Sequence, residues 1–230
     1  ATWWDSDGPF WPLHRLNALR VQYLESVLVR LSGRPVDAAQ PLAGLGILDV
    51  GCGGGLLAEA LAARGADVHG IDVVERNIGT ARAHAAGRLP NLAYSVSTAE
   101  ALAASGARYD VVLTLEVVEH VADLPGFMRA CTTLVRPGGL LGVATINRTP
   151  KAWLFAIVGA EYVLRWLPRG THQWRRFVRP AEIDALIRPA GFTPVERRGV
   201  RVNPFTRAFS LCDSLAVNWM MLARHDGTGD

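Results

Sequence analysis

Glu116, Glu119 and His120 stand inside an otherwise apolar run, "TLEVVEHV" at residues 114–121. Spacings of three and four residues would place all three side chains on one side of a single helical turn. There His120 reads as a general base flanked by two carboxylates. The alternative is a strand that ends near Leu115, with the acids in a first helical turn where negative charge is favoured and His120 merely hydrogen-bonded there. The local pattern leaves both open.

A second group of residues suits ligand binding. "ILDVGCGGG" carries Gly51, Gly53, Gly54 and Gly55 straight after an apolar strand and before a helix. Such glycines let the backbone turn tightly and approach a ligand closely, although a bare packing turn has the same look. A nicotinamide fingerprint would place its third glycine at Leu56, whereas the glycine falls at Gly55; no GK[ST] follows, which excludes a phosphate P-loop. Asp72 closes the next strand about twenty residues on, where a carboxylate can accept hydrogen bonds from ribose hydroxyls or cap a helix. Ala99 and Glu100 in "STAEA", and Leu115 in "YDVVLTLE", fall at the carboxyl ends of two further strands, the end at which open sheets bind ligands. Cys52 reads as a small residue in a tight loop, not as a nucleophile.

The elements that must position these residues follow from periodicity. Strands are expected at 46–50, 67–73, 92–97, 109–117 and 139–146, and helices at 56–65, 75–87 and 123–135. Short apolar strands alternating with amphipathic helices describe a parallel sheet covered on both faces, an α/β fold. A helix over about 16–31 precedes them as an N-terminal extension. A helix at 179–192 and strands at 194–202 and 216–224 close the domain. The chain is expected to form one domain, with an extension at 1–44, a cofactor-binding core at 45–147, an insertion at 148–179 and the end of the sheet at 180–225.

Composition bounds the class. The 230 residues are 50% hydrophobic and 20% charged, a globular balance, and the net charge of +3 is too small to argue for nucleic acid. Cys52, Cys131 and Cys212 show no CxxC spacing, which disfavours a disulfide framework or zinc site and fits a reducing compartment. No run of 18 apolar residues is present, so no bilayer span is expected. "ATWWDSDGPFW" is neither a signal nor a transit peptide, and its abrupt start suggests preceding chain. Charge is concentrated at 148–179, where seven basic residues (Arg148, Lys151, Arg165, Arg169, Arg175, Arg176 and Arg179) face one acid, Glu161, among six interleaved aromatics. This insertion reads as a helical lid or as a segment that contacts an anionic membrane surface. A nucleic-acid surface is the poorer reading.

The strand, glycine loop and Asp72, with "LVRPGGLLGV", resemble the class I S-adenosylmethionine-dependent methyltransferases, which implies a Rossmann-like seven-stranded sheet with a reversed last strand. "WWD", "PLHRLNALR", "EVVEHV", "INRTPKAW", "GAEYVL", "LPRGTHQWRRF" and "VNPFT" resemble, in that order, the ubiquinone-biosynthesis O-methyltransferases. Val202 and Trp219 stand where that family commonly has tyrosine. The resemblance implies O-methylation of phenolic hydroxyls on polyprenylated catechols or phenols. It implies that Arg20 holds the methionine carboxylate of S-adenosylmethionine, that Gly51 and Gly53 lie against it, and that Asp72 takes the ribose, with Ala99, Glu100 and Leu115 lining the rest. It also implies a divalent metal, magnesium, manganese or zinc, held by Glu116, Glu119 and His120. A cytoplasmic enzyme peripheral to the inner face of the membrane, with other quinone-biosynthesis proteins as partners, would follow. His172 in "GTHQW" could touch the acceptor or cap a turn. The rivals are an O-methyltransferase for another small phenol and a non-catalytic subunit of a membrane complex.

Overall fold

The computed structural model describes residues 3–8, 10–33, 35, 39–155 and 173–227. The chain divides into two compact units, 1–113 and 114–230, the division falling within strand β4 (Tyr109–Leu115).

In the first unit, strands β1 (Gly46–Val50), β2 (Asp67–Asp72) and β3 (Leu92–Val96) run parallel, with Ile47 opposite Val68 and Gly70 opposite Tyr94. Ile47, Leu48 and Ile71 are fully buried, as near-continuous apolar strands require when both sheet faces are covered. Helix α1 (Trp11–Leu31) begins earlier than periodicity suggested. Pro12 lies in its first turn, where a missing N–H leaves no helical bond unmade. Helices α2 (Leu56–Ala62) and α3 (Glu75–Ala85) bury Leu61 and Ile78, and the chain leaves α2 at Gly65, whose φ of 93° suits glycine. A helix not anticipated, α4 (Ala99–Ala104), starts where the Thr98 side chain accepts the N–H of Ala101.

In the second unit, α5 (Leu124–Thr133) is capped by Asp123, whose carboxylate accepts the N–H of Gly126 at 3.0 Å. Strand β5 (Val135–Ile146) begins before the expected glycine pair, at Val135. A single helical turn, α6 (Pro150–Ala152), and helix α7 (Pro180–Ile187) precede the three antiparallel strands β6 (Phe192–Val202), β7 (Phe209–Cys212) and β8 (Asn218–His225). β8 pairs with both β5 and β6, and the register of β6 shifts between Pro194 and Glu196, the irregularity expected beside a residue that has no N–H to donate. Trp219, one of the departures from the family pattern, is 1% exposed and donates its Nε1–H to the carbonyl of Val178. It is a core residue.

The strand order is β3-β2-β1-β4-β5-β8-β6-β7, giving a mixed sheet of eight strands where seven were expected. The extra strand is β7, a four-residue edge strand on β6 in the turn-rich segment after Asn203. Such a strand is too short to show an alternating pattern.

Candidate active site

The glycine loop is built by hydrogen bonds to the end of β2. The N–H groups of Gly51 and Cys52 both donate to the Ile71 carbonyl, at 2.8 and 2.9 Å. The N–H of Gly53 donates to Asp72 Oδ2 at 3.0 Å, and Val74 N–H to Asp72 Oδ1 at 2.8 Å. Gly51 has φ 74° and Gly53 φ 54°, left-handed conformations that side chains disfavour. Asp72 thus ties the loop to its own turn as well as presenting a carboxylate beside it. Cys52 is buried, and burial, followed by the charges of Asp49 and Asp72, pushes its thiol up; it holds no thiolate for nucleophilic work.

Asp49, which sequence reasoning passed over as part of "ILDV", belongs to this site. It is 3% exposed, its Oδ2 has no hydrogen-bond partner among the described residues, and its carboxyl is raised to about 7. Burial is the main cause and the Asp72 charge the second, while the Arg20 guanidinium opposes both. Arg20 itself is buried, 3% exposed, on α1. Asp49 senses both the Asp72 charge and the Arg20 guanidinium, and the buried Asp49 and Arg20 match an amino-acid zwitterion, ammonium to carboxylate and carboxylate to guanidinium. The legible signal for Asp49 was an acid inside a wholly apolar strand. Ala99 is buried at the start of α4, and Glu100 is exposed in that first turn. Trp3 and Trp4, noted in the sequence only within "WWD", lie on the glycine loop.

The second unit holds the other expected group. β4 ends at Leu115, and residues 118–120 form a turn, so the one-helical-turn arrangement of Glu116, Glu119 and His120 is not formed. Glu116 has φ 59° yet still donates its N–H to the Ala144 carbonyl at 2.8 Å. Glu119 is 6% exposed with Oε2 unpartnered among the described residues, and its carboxyl is raised to about 8 by burial and then by the Glu116 charge. His120 is exposed. The two glutamates are therefore brought together, and the imidazole faces solvent. Among the described residues, no group of three or more His, Cys, Asp or Glu side chains that could hold a metal ion is formed. The paired glutamates nonetheless fit a cation in donor chemistry, because an unpartnered buried oxygen beside a second carboxylate calls for a proton or a positive charge.

The basic-aromatic segment is described only at its ends. Arg165, Arg169, Tyr162, Trp166 and His172 lie outside the described residues. Trp153, Leu154 and Phe155 are about half exposed, at 48, 50 and 57%. Arg175, Arg176 and Arg179 are exposed, while Phe177 is buried with Ile146 and Ala152. Arg148 pairs with Glu182. No described helix is long and apolar enough to cross a membrane.

A family profile described as a methyltransferase domain matches residues 18–197. A ubiquinone biosynthesis O-methyltransferase of Sinorhizobium fredii is 51% identical over 224 residues, covering 97% of this chain and 90% of the relative. Its counterpart from Cereibacter sphaeroides is 48% identical over 221 residues, covering 96% and 90%. Among solved structures, the magnesium protoporphyrin IX methyltransferase of Synechocystis with bound SAH is similar in fold, with a TM-score of 0.63 at 20% identity, covering 91% of this chain and 84% of that one. A protein from Pyrococcus horikoshii gives 0.62 at 16% identity, covering 90% and 89%.

Proposed function

Because the chain belongs to the ubiquinone biosynthesis O-methyltransferase family, we propose that it transfers the methyl group of S-adenosylmethionine to a phenolic hydroxyl of a polyprenylated catechol or phenol. The observation that carries this reading is the buried Asp49 and Arg20 with the partly exposed Asp72 beside the glycine loop, which suits the amino-acid end and ribose of that donor. Arg20 would grip the donor carboxylate, Asp49 the ammonium and Asp72 the ribose. Gly51 and Gly53 let the backbone come close, with Ala99 and Glu100 along the remainder.

The reaction is an in-line displacement. The phenolic oxygen forms a bond to the methyl carbon, the carbon–sulfur bond breaks with its electron pair going to sulfur, and S-adenosylhomocysteine leaves. The phenolic proton must go to a base. His120, exposed, can take it and pass it to water, and Glu119, raised to about 8, holds a proton near the working pH. Glu116 and Glu119, the two acids brought together, would hold a divalent cation, and His120, exposed beside them, is left to act as the base. When bound, that ion supplies Lewis acidity that lowers the hydroxyl pKa.

A polyprenyl acceptor resides in a bilayer, and the half-exposed Trp153, Leu154 and Phe155 together with Arg175 and Arg176 support contact with an anionic membrane surface. Peripheral association with the inner face of the membrane, near other quinone-synthesis proteins, follows from that reading. The deciding experiment is a product assay with labelled S-adenosylmethionine and prenylated catechols, run with and without chelator. Binding of the donor with no methylated catechol formed would overturn the acceptor class.

A further inference from the structure

Gly54 differs from its neighbours in the loop. Gly51, Gly53 and Gly55 have positive φ, and Gly54 does not, so its backbone conformation makes no demand for glycine. A Cβ at Gly54 would nevertheless lie 2.5 Å from Trp3 Cγ, 2.7 Å from Cδ2 and 2.8 Å from Cβ, and these three atoms are the nearest it would meet. At Gly53 a Cβ would lie 2.7 Å from Cη2 of the same ring. An indole resting on the peptide accounts for the small residue.

The ring is itself well held. Trp3 stacks on Phe10, with centroids 4.5 Å apart and planes 6° apart, and the Trp3 carbonyl is hydrogen-bonded by His14 Nε2 at 2.9 Å. Trp4 donates its Nε1–H to the Gly54 carbonyl at 3.1 Å and stacks on His84, with centroids 3.5 Å apart. Just beyond the loop, Asn17 Nδ2 donates to the Leu56 carbonyl at 3.1 Å. The aromatic residues before α1 therefore grip the loop from one side while Asp72 holds it from β2.

We propose that Trp3 and Trp4 form a strap that keeps the Gly53–Gly54 peptide in its donor-receiving conformation, making both indoles positioning residues for S-adenosylmethionine. This rests on the reading of the loop as the donor site. Glycine has the largest backbone freedom to lose, so a loop with four of them pays heavily to be ordered by a ligand. A strap that orders it beforehand removes that loss from binding. Without the strap only a fraction of molecules present the competent loop, and apparent affinity falls by that fraction. Turnover at saturating donor should then change little.

The test is calorimetry with S-adenosylhomocysteine and steady-state kinetics on the wild-type chain and on Trp3→Ala, Trp3→Phe, Gly54→Ala and the Trp3→Ala/Gly54→Ala double variant. Trp3→Ala is expected to weaken binding about tenfold, the scale of a lost aromatic packing contact. The donor KM should rise by a similar factor while kcat stays within about twofold, and Trp3→Phe should restore most of the affinity. Gly54→Ala should match Trp3→Ala. The double variant should be no weaker than Trp3→Ala alone, because the methyl then meets no ring. Full additivity in the double variant, or unchanged or tighter binding by Trp3→Ala, overturns the strap. A wild-type chain that fails to bind S-adenosylhomocysteine overturns the donor-site reading before any variant is compared. Equal far-UV spectra and melting of the Trp3→Ala and wild-type chains keep misfolding out of the comparison; a Trp3→Ala chain that does not fold, with Trp3→Phe folded but binding as weakly as Gly54→Ala, also counts against the strap.

Discussion

Gly53 donates its backbone N–H to Oδ2 of Asp72 at 3.0 Å, so the carboxylate that would read a ribose also anchors the loop beside it. Asp72→Ala should therefore lower S-adenosylhomocysteine affinity about tenfold to a hundredfold, the scale of a charge-assisted hydrogen bond plus a loosened loop. Asp72→Asn keeps an acceptor for one N–H and should lose less. Calorimetry on both variants checks this, and equal losses would separate the charge from the anchoring.

Asp49 should set a pH dependence of stability in the ligand-free protein. Its carboxyl is raised from 3.8 in the unfolded chain to about 7 in the folded one, so between those values the folded state holds a proton that the unfolded state has released. Stability from this group is complete below pH 4 and declines as pH rises to about 7, by on the order of 4 kcal/mol for a shift this large. Asp49→Asn should be more stable than wild type at pH 8, equal to it at pH 4, and weaker in donor binding. Urea unfolding at the two pH values reads the difference.

The glutamate pair gives a prediction with a structural readout. Glu116→Ala, Glu119→Ala and His120→Ala should each reduce turnover about a hundredfold or more, and double variants should be little worse than singles. Donor affinity should remain near wild type. Added magnesium or manganese should raise the melting temperature of the wild-type protein and leave that of Glu116→Ala/Glu119→Ala unmoved. Absence of any metal-dependent shift would leave the pair as a proton-holding device.

Vesicle binding tests the exposed aromatic and basic flank. The protein is expected to sediment with anionic liposomes, weakly with neutral ones and less at high salt, each basic residue near the surface adding roughly 1 kcal/mol. Arg175→Glu/Arg176→Glu should weaken that binding without changing donor affinity. Trp153→Ser/Phe155→Ser should lower turnover of long-tailed acceptors more than of short soluble ones.

The parallel half of the sheet was legible because β1 is buried along nearly its whole length and β2 keeps Val68, Gly70 and Ile71 inside, so both show as short apolar-rich strands between amphipathic stretches. β7 escaped because four residues at a sheet edge carry little pattern, and α4 because its signal was a single capping threonine. Glycine positions and Asp72 were legible from spacing. Asp49 was marked only as an acid in an apolar strand, and neither its burial nor the pairing of Glu116 with Glu119 was legible, since burial and side-chain direction at a strand end depend on tertiary packing that a local period cannot encode. The role of Trp3 was hidden for the same reason, as its partner Gly54 lies far along the chain.

Glu116 combines an acidic side chain with a backbone φ of 59°. A residue bearing a Cβ is held there at roughly 1 kcal/mol against an ordinary conformation. Glycine would relax the chain but remove the carboxylate, asparagine would tolerate the geometry without the charge, and any β-branched residue would fit neither demand. A saturation library at position 116 should therefore sort in opposite directions under two selections. Screening for heat resistance would enrich glycine and asparagine, whereas screening for methyl transfer would return glutamate. A thermostabilised variant assembled from the first screen alone would drift toward an inert enzyme at this one site.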